Sequence, residues 1–141
     1  MILNEDTTAI RALLESARRI AVVGISPKPE RDSNMVAQYL IAAGYEVIPV
    51  NPGQAEVLGR KCYPDLGSIP GPVDIVDVFR SPEHVPGVVE DAIRAGAKAV
   101  WLQLGAEHPE AARRASDAGL AVIFDSCIKV AHQILRVAKR P

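Results

Sequence analysis

Residues 22–33 bring together a glycine, two hydroxyl side chains and two cations, in the order V-V-G-I-S-P-K-P-E-R-D-S. Gly24 allows a ligand to approach the main chain, and the Arg31 guanidinium can hold two phosphate oxygens at once. The segment follows an apolar run and precedes a predicted helix, whose first N–H groups and positive end favour an anion. It therefore predicts a phosphate site. The candidate residues are Gly24, Ile25, Ser26, Lys28, Arg31 and Ser33.

The same segment also has a purely structural interpretation. Its prolines would stiffen a turn, Ser33 would cap the helix through its hydroxyl, and Lys28 and Arg31 would be solvated charges. Position favours the phosphate interpretation, because the segment follows the first predicted strand, where nucleotide-binding folds hold phosphates.

Two common nucleotide-binding motifs are absent. The dinucleotide fingerprint G-x-G-x-x-G needs glycines where Ser26 and Pro29 stand. The second apolar run ends in Asn51 and Pro52, where NAD-binding domains carry the acidic residue that binds the ribose hydroxyls. A Walker A sequence is also missing. These features disfavour NAD and a nucleotide triphosphatase.

Cys127 is the one candidate nucleophile. It follows the last apolar run near a predicted helix start, a setting that can make a thiol reactive, and a buried structural cysteine is the alternative. His84, His108 and His132 lack the spacing of metal ligands, and Cys127 and His132 are five residues apart, on different faces of a helix. The sequence thus shows no catalytic set, which favours a binding protein over an enzyme. We expect no disulfide between Cys62 and Cys127.

The elements that must position these residues follow an alternating pattern. Short apolar runs alternate with amphipathic stretches, which is typical of βαβ units that build a parallel sheet. Strands are predicted at 19–25, 46–50, 74–79, 99–104 and 120–124, and helices at 6–17, 34–43, 82–95, 110–118 and 128–139. We expect an α/β fold, a single doubly wound Rossmann-like domain over residues 1–141 with about five parallel strands flanked by helices.

Three details of this prediction concern particular residues. Ser33, Ser81 and His108 are expected to cap the second, third and fourth helices. Residues 53–72 are expected to form a surface loop with a short strand or a helical turn. Asp74 and Asp77 are expected to flank the third strand and to orient turns, and Trp101 is expected in the core.

In an open sheet of this kind the ligand binds outside the carboxyl ends of the strands, where the strand order reverses. The residues that follow the predicted strands are small, polar or cationic, whereas the strand interiors are apolar. These strand-end residues include Asn51, Pro52, Phe79, Arg80, Leu104 and Gly105.

Composition narrows the class of partner. The chain has 16 Lys and Arg against 17 Asp and Glu, a formal net charge of −1, so it lacks the cationic excess that nucleic-acid binding needs. The apolar runs are too short to span a membrane, and the N-terminus carries no apolar signal core. We expect a cytoplasmic protein that binds neither nucleic acid nor membrane. A protein partner or a homo-oligomer is left open.

Five blocks of sequence are familiar. They are V-V-G-I-S-P-K-P-E-R-D-S-N at 22–34, G-Y-E-V-I-P-V-N-P at 44–52, V-D-I-V-D-V-F-R at 73–80, A-V-W-L-Q-L-G at 99–105 and D-S-C-I-K at 125–129. In this order they resemble the small CoA-binding domain family, which is similar to the CoA-binding domain of the succinyl-CoA ligase α subunit. The ligase's second domain, with its phosphorylated histidine, has no counterpart in this sequence. The last block departs from the family's common D-R-C-I-K, with Ser126 in place of the arginine.

The resemblance implies a role for each strand end. Gly24, Ser26, Lys28, Arg31 and Ser33 would contact the CoA phosphates, with Asn34 nearby. The remaining implied contacts are Asn51 and Pro52 at the adenine or ribose end, Phe79 and Arg80 beside the nucleotide, and Gln103, Leu104 and Gly105 along the pantetheine arm.

The function that the resemblance implies is a non-catalytic protein that holds coenzyme A or acyl-CoA. One alternative is an enzyme, either a nucleotide-cofactor-dependent enzyme on the same fold or an acyl or thiol transferase that uses Cys127. Another is an interaction subunit that has kept the fold and lost the ligand.

Overall fold

Five parallel strands form the central sheet of the computed structural model, which describes residues 1–140. They are β1 (Arg19–Val23), β2 (Glu46–Val50), β5 (Ile75–Val78), β6 (Ala99–Leu102) and β7 (Ala121–Ile123). The helices are α1 (Thr7–Ser16), α2 (Asp32–Ala42), α3 (Val85–Arg94), α4 (Pro109–Asp117) and α5 (Ile128–Ile134). The strand order is β2-β1-β5-β6-β7, with every neighbouring pair parallel. The expected α/β Rossmann-like fold is therefore confirmed.

The helices cover both faces of the sheet. On one face α1, α2 and α5 bury Leu14, Leu40 and Ile128 against the strands. On the other face α3 and α4 bury Val89 and Ala115. The strands are buried on both sides, which explains why they are nearly continuous apolar runs rather than alternating ones. Trp101 is fully buried, as expected, and its indole N–H donates to the Ser126 carbonyl at 3.0 Å.

The ends of the elements differ from the predicted ends for local reasons. Strand β1 stops at Val23 because Gly24 has a φ of 87°, which is outside the strand region. Helix α5 stops at Ile134, five residues earlier than predicted, and Arg136 follows with a φ of 54°. His108 caps α4 as predicted, accepting the Ala111 N–H at 3.1 Å on its Nδ1.

The predicted capping role of Ser33 is wrong. Helix α2 begins at Asp32 after Arg31, so Ser33 lies within the first turn, where it is buried. Ser81 does precede its helical turn, a 3₁₀ turn at Pro82–His84 that leads into α3, but its hydroxyl donates to Glu83 and not to the helix end.

The two aspartates of the third predicted strand have different positions. Asp74 precedes β5, as predicted, and accepts the Arg18 and Arg19 N–H groups, both at 2.9 Å. The prediction for Asp77 is wrong, because this residue sits inside β5 beside Val22 and Trp101. It is fully buried, and neither carboxyl oxygen has a hydrogen-bond partner within residues 1–140. Burial raises the pKa of Asp77 well above its ordinary value.

Residues 53–72 contain the short elements that were expected. Strands β3 (Glu56–Val57) and β4 (Arg60–Lys61) form an antiparallel hairpin, and a 3₁₀ turn follows at Leu66–Ser68. The two cysteines are both free thiols, Cys62 buried and Cys127 half-buried. Among residues 1–140, no helix is long and apolar enough to cross a bilayer.

Candidate functional site

The strand order reverses between β1 and β5, and a crevice lies at their carboxyl ends. This central cavity has a volume of about 520 Å³. Three strand ends and the start of α2 form its walls. The lining residues are Gly24, Ser26, Glu30, Arg31, Asp32, Ser33, Phe79, Arg80, Ser81, Leu104, Gly105 and Ala106. Ligands of open α/β sheets bind at this topological position.

Gly24 brings the ends of β1 and β5 into close approach. A Cβ atom at this position would lie 2.2 Å from the Phe79 carbonyl oxygen and 2.8 Å from Arg80 Cδ. The φ of 87° is also one that side chains other than glycine disfavour. Glycine is thus required here by space and by backbone conformation, and it keeps the floor of the cavity open.

The loop from β1 to α2 is braced by its own residues. The Ser26 N–H donates to Ser33 Oγ at 2.9 Å, and the Ser26 carbonyl accepts Asn34 Nδ2 at 2.9 Å. Asn51 Nδ2 donates to the Ile25 carbonyl at 2.8 Å, and Asn51 Oδ1 accepts the Gly53 N–H at 2.8 Å. These polar side chains therefore hold the loop in shape.

The start of α2 has unused hydrogen-bond donors. It has no side-chain cap, and the main-chain N–H groups of Asp32, Ser33 and Asn34 meet no acceptor within residues 1–140. The first N–H groups of a helix need partners from outside the helix. Together with the positive end of the helix dipole, they make this end of α2 suited to an anion.

Charged side chains around this helix end are of both signs. Arg31 and Arg80 line the cavity, and neither forms an ion pair in the part of the chain that the structure describes. Glu30 and Asp32 line it as well. The two acidic side chains offset the charge of the two guanidiniums. The attraction for an anion at the start of α2 therefore depends on the unpaired main-chain N–H groups as well.

A lateral cavity of about 440 Å³ continues from the central one. Asp32, Phe79 and Leu104 line both cavities. The other lining residues of the lateral cavity are Met35, Val36, Gln103, Cys127, Lys129, Val130 and Gln133. The two cavities thus form one groove that runs from the β1–β5 crevice to the contact between α2 and α5.

Two acidic residues, Glu107 and Asp125, lie just beyond the Gly105 wall of the central cavity. The Gly105 N–H donates to Glu107 Oε1 at 3.1 Å, and this bond lowers the pKa of Glu107. The interaction with the Glu107 carboxyl raises the pKa of Asp125, which lies after β7 with a φ of 51°.

The structure gathers most of the predicted site residues. In the central cavity it brings together Gly24, Ser26, Arg31, Ser33, Phe79, Arg80, Leu104 and Gly105. Gln103 lines the lateral cavity, and Pro52 lines a small cavity of about 80 Å³ that also contacts Gly24 and Arg80.

Four predicted residues line none of these three cavities. The side chains of Ile25 and Asn34 are buried, the Asn51 amide is bonded within the protein, and Lys28 is exposed on the loop. Ile25 could reach a ligand only through its main chain. Asn34 and Asn51 contribute by bracing the loop.

Several lining residues were not predicted from the sequence. Glu30, Asp32 and Ser81 adjoin predicted residues, so their proximity to strand ends was the available signal. Met35, Val130 and Gln133 are exposed positions of α2 and α5, and only the packing of these two helices places them beside the groove.

Comparison with known proteins finds relatives that match most of the chain. Residues 18–133 match the family described as CoA binding domain. An uncharacterized Bacillus subtilis protein, YneT, is 44% identical over 133 residues, which cover 94% of this chain and 98% of YneT. A solved structure of a hypothetical protein from Pyrococcus horikoshii has 45% identity and a TM-score of 0.90, covering 92% of each chain.

A more distant relative is a domain of a larger enzyme. Subunit alpha of the ADP-forming acetate–CoA ligase I of Pyrococcus furiosus is 34% identical over 93 residues. The match covers 62% of this chain but only 20% of the ligase subunit. Within residues 1–140, no three His, Cys, Asp or Glu side chains form a group that could hold a metal ion.

Proposed function

This chain belongs to the CoA-binding domain family, and we propose that it holds coenzyme A or acyl-CoA in the groove as a non-catalytic binding protein. One observation carries the proposal. The uncapped start of α2, with three N–H groups that lack acceptors, faces the same cavity as the unpaired guanidiniums of Arg31 and Arg80. A diphosphate would satisfy these donors and these charges at once.

The groove offers a place for each part of the ligand. We assign the phosphates to the central cavity, where the missing Cβ of Gly24 lets them approach the main chain. The adenine and ribose end is assigned to the side of β2, next to Pro52. The uncharged pantetheine arm is assigned to the lateral cavity, whose wall combines Val36, Phe79 and Leu104 with the Gln103 amide.

Membership of the family and the end of β2 support CoA over other phosphate ligands. The carboxyl end of β2 carries Asn51 where NAD-binding domains carry a carboxylate for the ribose. The Asn51 amide is also already hydrogen-bonded within the loop. The ligase relatives act on CoA according to their names, and this chain matches only a small part of their length. We therefore propose CoA holding as the role of this chain, and the cytoplasm as its location.

Thermal denaturation with a panel of ligands tests the proposal. A ligand that binds only the folded state raises the free energy of unfolding by RT ln(1 + [L]/Kd), and the melting temperature rises as a result. We expect CoA and acetyl-CoA to stabilise the protein most, dephospho-CoA to stabilise it less, and NAD, which shares only the ADP part, to stabilise it least. Absence of any stabilisation by CoA would reject the proposed function.

A further inference from the structure

The Gln103 amide in the wall of the lateral cavity has a donor group that meets no acceptor within residues 1–140. The Gln103 side chain is only 4% exposed, and its Oε1 accepts the Ile128 N–H at 3.0 Å. That bond fixes the orientation of the amide and turns Nε2 away from Ile128. Nε2 donates to no acceptor within residues 1–140, and Gln103 lines the cavity. Nε2 is therefore free to donate into the cavity, which suits a ligand with a carbonyl oxygen.

A free thiol lies in the same wall. Cys127 is half-buried and immediately precedes Ile128, the residue that holds Gln103 in place. The other cysteine, Cys62, is buried, and burial raises its thiol pKa. Of the two thiols, only Cys127 lines the groove.

We propose that Cys127 forms a reversible mixed disulfide with the sulfur of CoA lodged in the groove. The inference rests on the proposed function and extends it to the sulfur end of the same ligand. With the phosphates at α2, the pantetheine arm runs past Phe79 and Leu104, the walls shared by both cavities. Gln103 Nε2 then meets an amide carbonyl of the arm, and the terminal sulfur reaches the wall that contains Cys127.

The oxidant is the symmetric disulfide of CoA. The Cys127 thiolate attacks one sulfur of that disulfide and forms a new S–S bond with it. The original S–S bond breaks, and its electron pair leaves on the second CoA, which takes up the proton that Cys127 gave up. One CoA disulfide is thus reduced to one CoA thiol while Cys127 is oxidised to the mixed disulfide. A CoA thiol in excess reverses the step.

The test measures adduct formation on the whole chain. The protein is incubated with CoA disulfide or with oxidised glutathione, quenched with acid, and examined by intact mass and peptide mapping. We expect one CoA per chain, attached to Cys127 and removed by dithiothreitol. Binding of the nucleotide end raises the local concentration of the disulfide, so the rate with CoA disulfide should exceed that with glutathione by at least about tenfold.

Variants separate recognition from ordinary thiol reactivity. Arg31→Ala should reduce the rate with CoA disulfide towards the glutathione rate, while leaving the glutathione rate unchanged. Cys62→Ser should form the adduct like the wild type, and Cys127→Ser should form none, with its melting curve confirming that it is folded. Equal rates with both disulfides, or attachment to Cys62, would overturn the inference.

A separate titration distinguishes CoA binding from formation of the mixed disulfide. Isothermal titration of the wild-type protein with CoA thiol, under reducing conditions, measures binding without any disulfide. If CoA binds and no preferential adduct forms, the mixed disulfide is rejected and the proposed function stands. If CoA does not bind, the proposed function is rejected, and the inference with it.

Discussion

The central and lateral cavities share three residues yet offer a ligand different chemistry. The central cavity presents unpaired main-chain N–H groups and two guanidiniums, so charge dominates its interactions. The lateral cavity combines apolar side chains with two amides and a thiol, and its charged residues, Asp32 and Lys129, are of opposite sign. From this difference we infer that the central cavity supplies most of the affinity, whereas the lateral cavity recognises the arm. Variants of Gly24, Arg31 and Gln103 test this division of roles between the two cavities.

Removing the close approach at Gly24 should have the largest effect. Gly24→Ala places a Cβ against the Phe79 carbonyl at a φ of 87°, which should cost roughly 2–4 kcal/mol of unfolding free energy and abolish CoA binding. Urea denaturation and isothermal titration measure the two effects. Gly87→Ala is the matched control, because nothing lies within 4 Å of its added Cβ, and it should retain stability and affinity. A fully stable Gly24→Ala that binds CoA would show that the central cavity does not depend on this approach.

Removing charge from the central cavity should weaken the whole ligand. Arg31→Ala should reduce CoA affinity by roughly 1.5–3 kcal/mol, about 10- to 150-fold in Kd, because a charge-assisted bond to phosphate is lost. ADP, which has the diphosphate but no arm, should lose affinity to the same extent. Arg113→Ala removes an exposed arginine of α4 and serves as the control with unchanged affinity. Unchanged binding in Arg31→Ala would remove this residue from the site.

Much of this arrangement could be predicted from the sequence. The apolar runs indicate the five strands because a parallel sheet covered on both faces needs apolar residues on both. The reversal of strand order then places Gly24, Phe79 and Arg80 together, as observed. The central cavity could thus be predicted from the order of the strands and the residues that follow them.

The remaining features depend on tertiary packing. An aspartate inside an apolar run indicates a strand edge, since burial of an unpartnered carboxyl is costly, yet Asp77 lies fully buried in the sheet. The lateral cavity depends on how α2 and α5 pack, which local patterns do not encode. Ser33 has the residue type of a cap, but its hydroxyl accepts the Ser26 N–H instead.

Asp77, in the sheet beneath both cavities, should affect the stability of the protein without affecting its affinity for CoA. Its pKa is raised in the folded state, so the folded protein keeps a proton that the unfolded chain loses above a pH of about 3.9. Its contribution to stability is therefore full at low pH and is lost as pH rises, by about 1.4 kcal/mol per pH unit until the folded-state pKa is reached.

Asp77→Asn should remove that slope. Urea denaturation of both proteins at several pH values gives the difference in unfolding free energy, in which the other titrating groups cancel. CoA affinity should be the same in both proteins, because Asp77 lines neither cavity. A constant difference across pH would mean that Asp77 ionises as freely in the folded protein as in the unfolded chain.

The smallest expected effect is also the one that separates the two cavities most directly. Gln103→Glu at a pH where glutamate is ionised keeps an oxygen for the Ile128 N–H and replaces the unpaired donor with an acceptor. CoA should then lose more affinity than ADP, by roughly 0.5–1.5 kcal/mol, because the added charge acts on the phosphates of both ligands but only CoA loses the hydrogen bond to its arm. The melting curve of the variant controls for folding. Equal losses for CoA and ADP would mean that Gln103 supports the central cavity rather than the arm, since only an arm-specific contact can tell the two ligands apart.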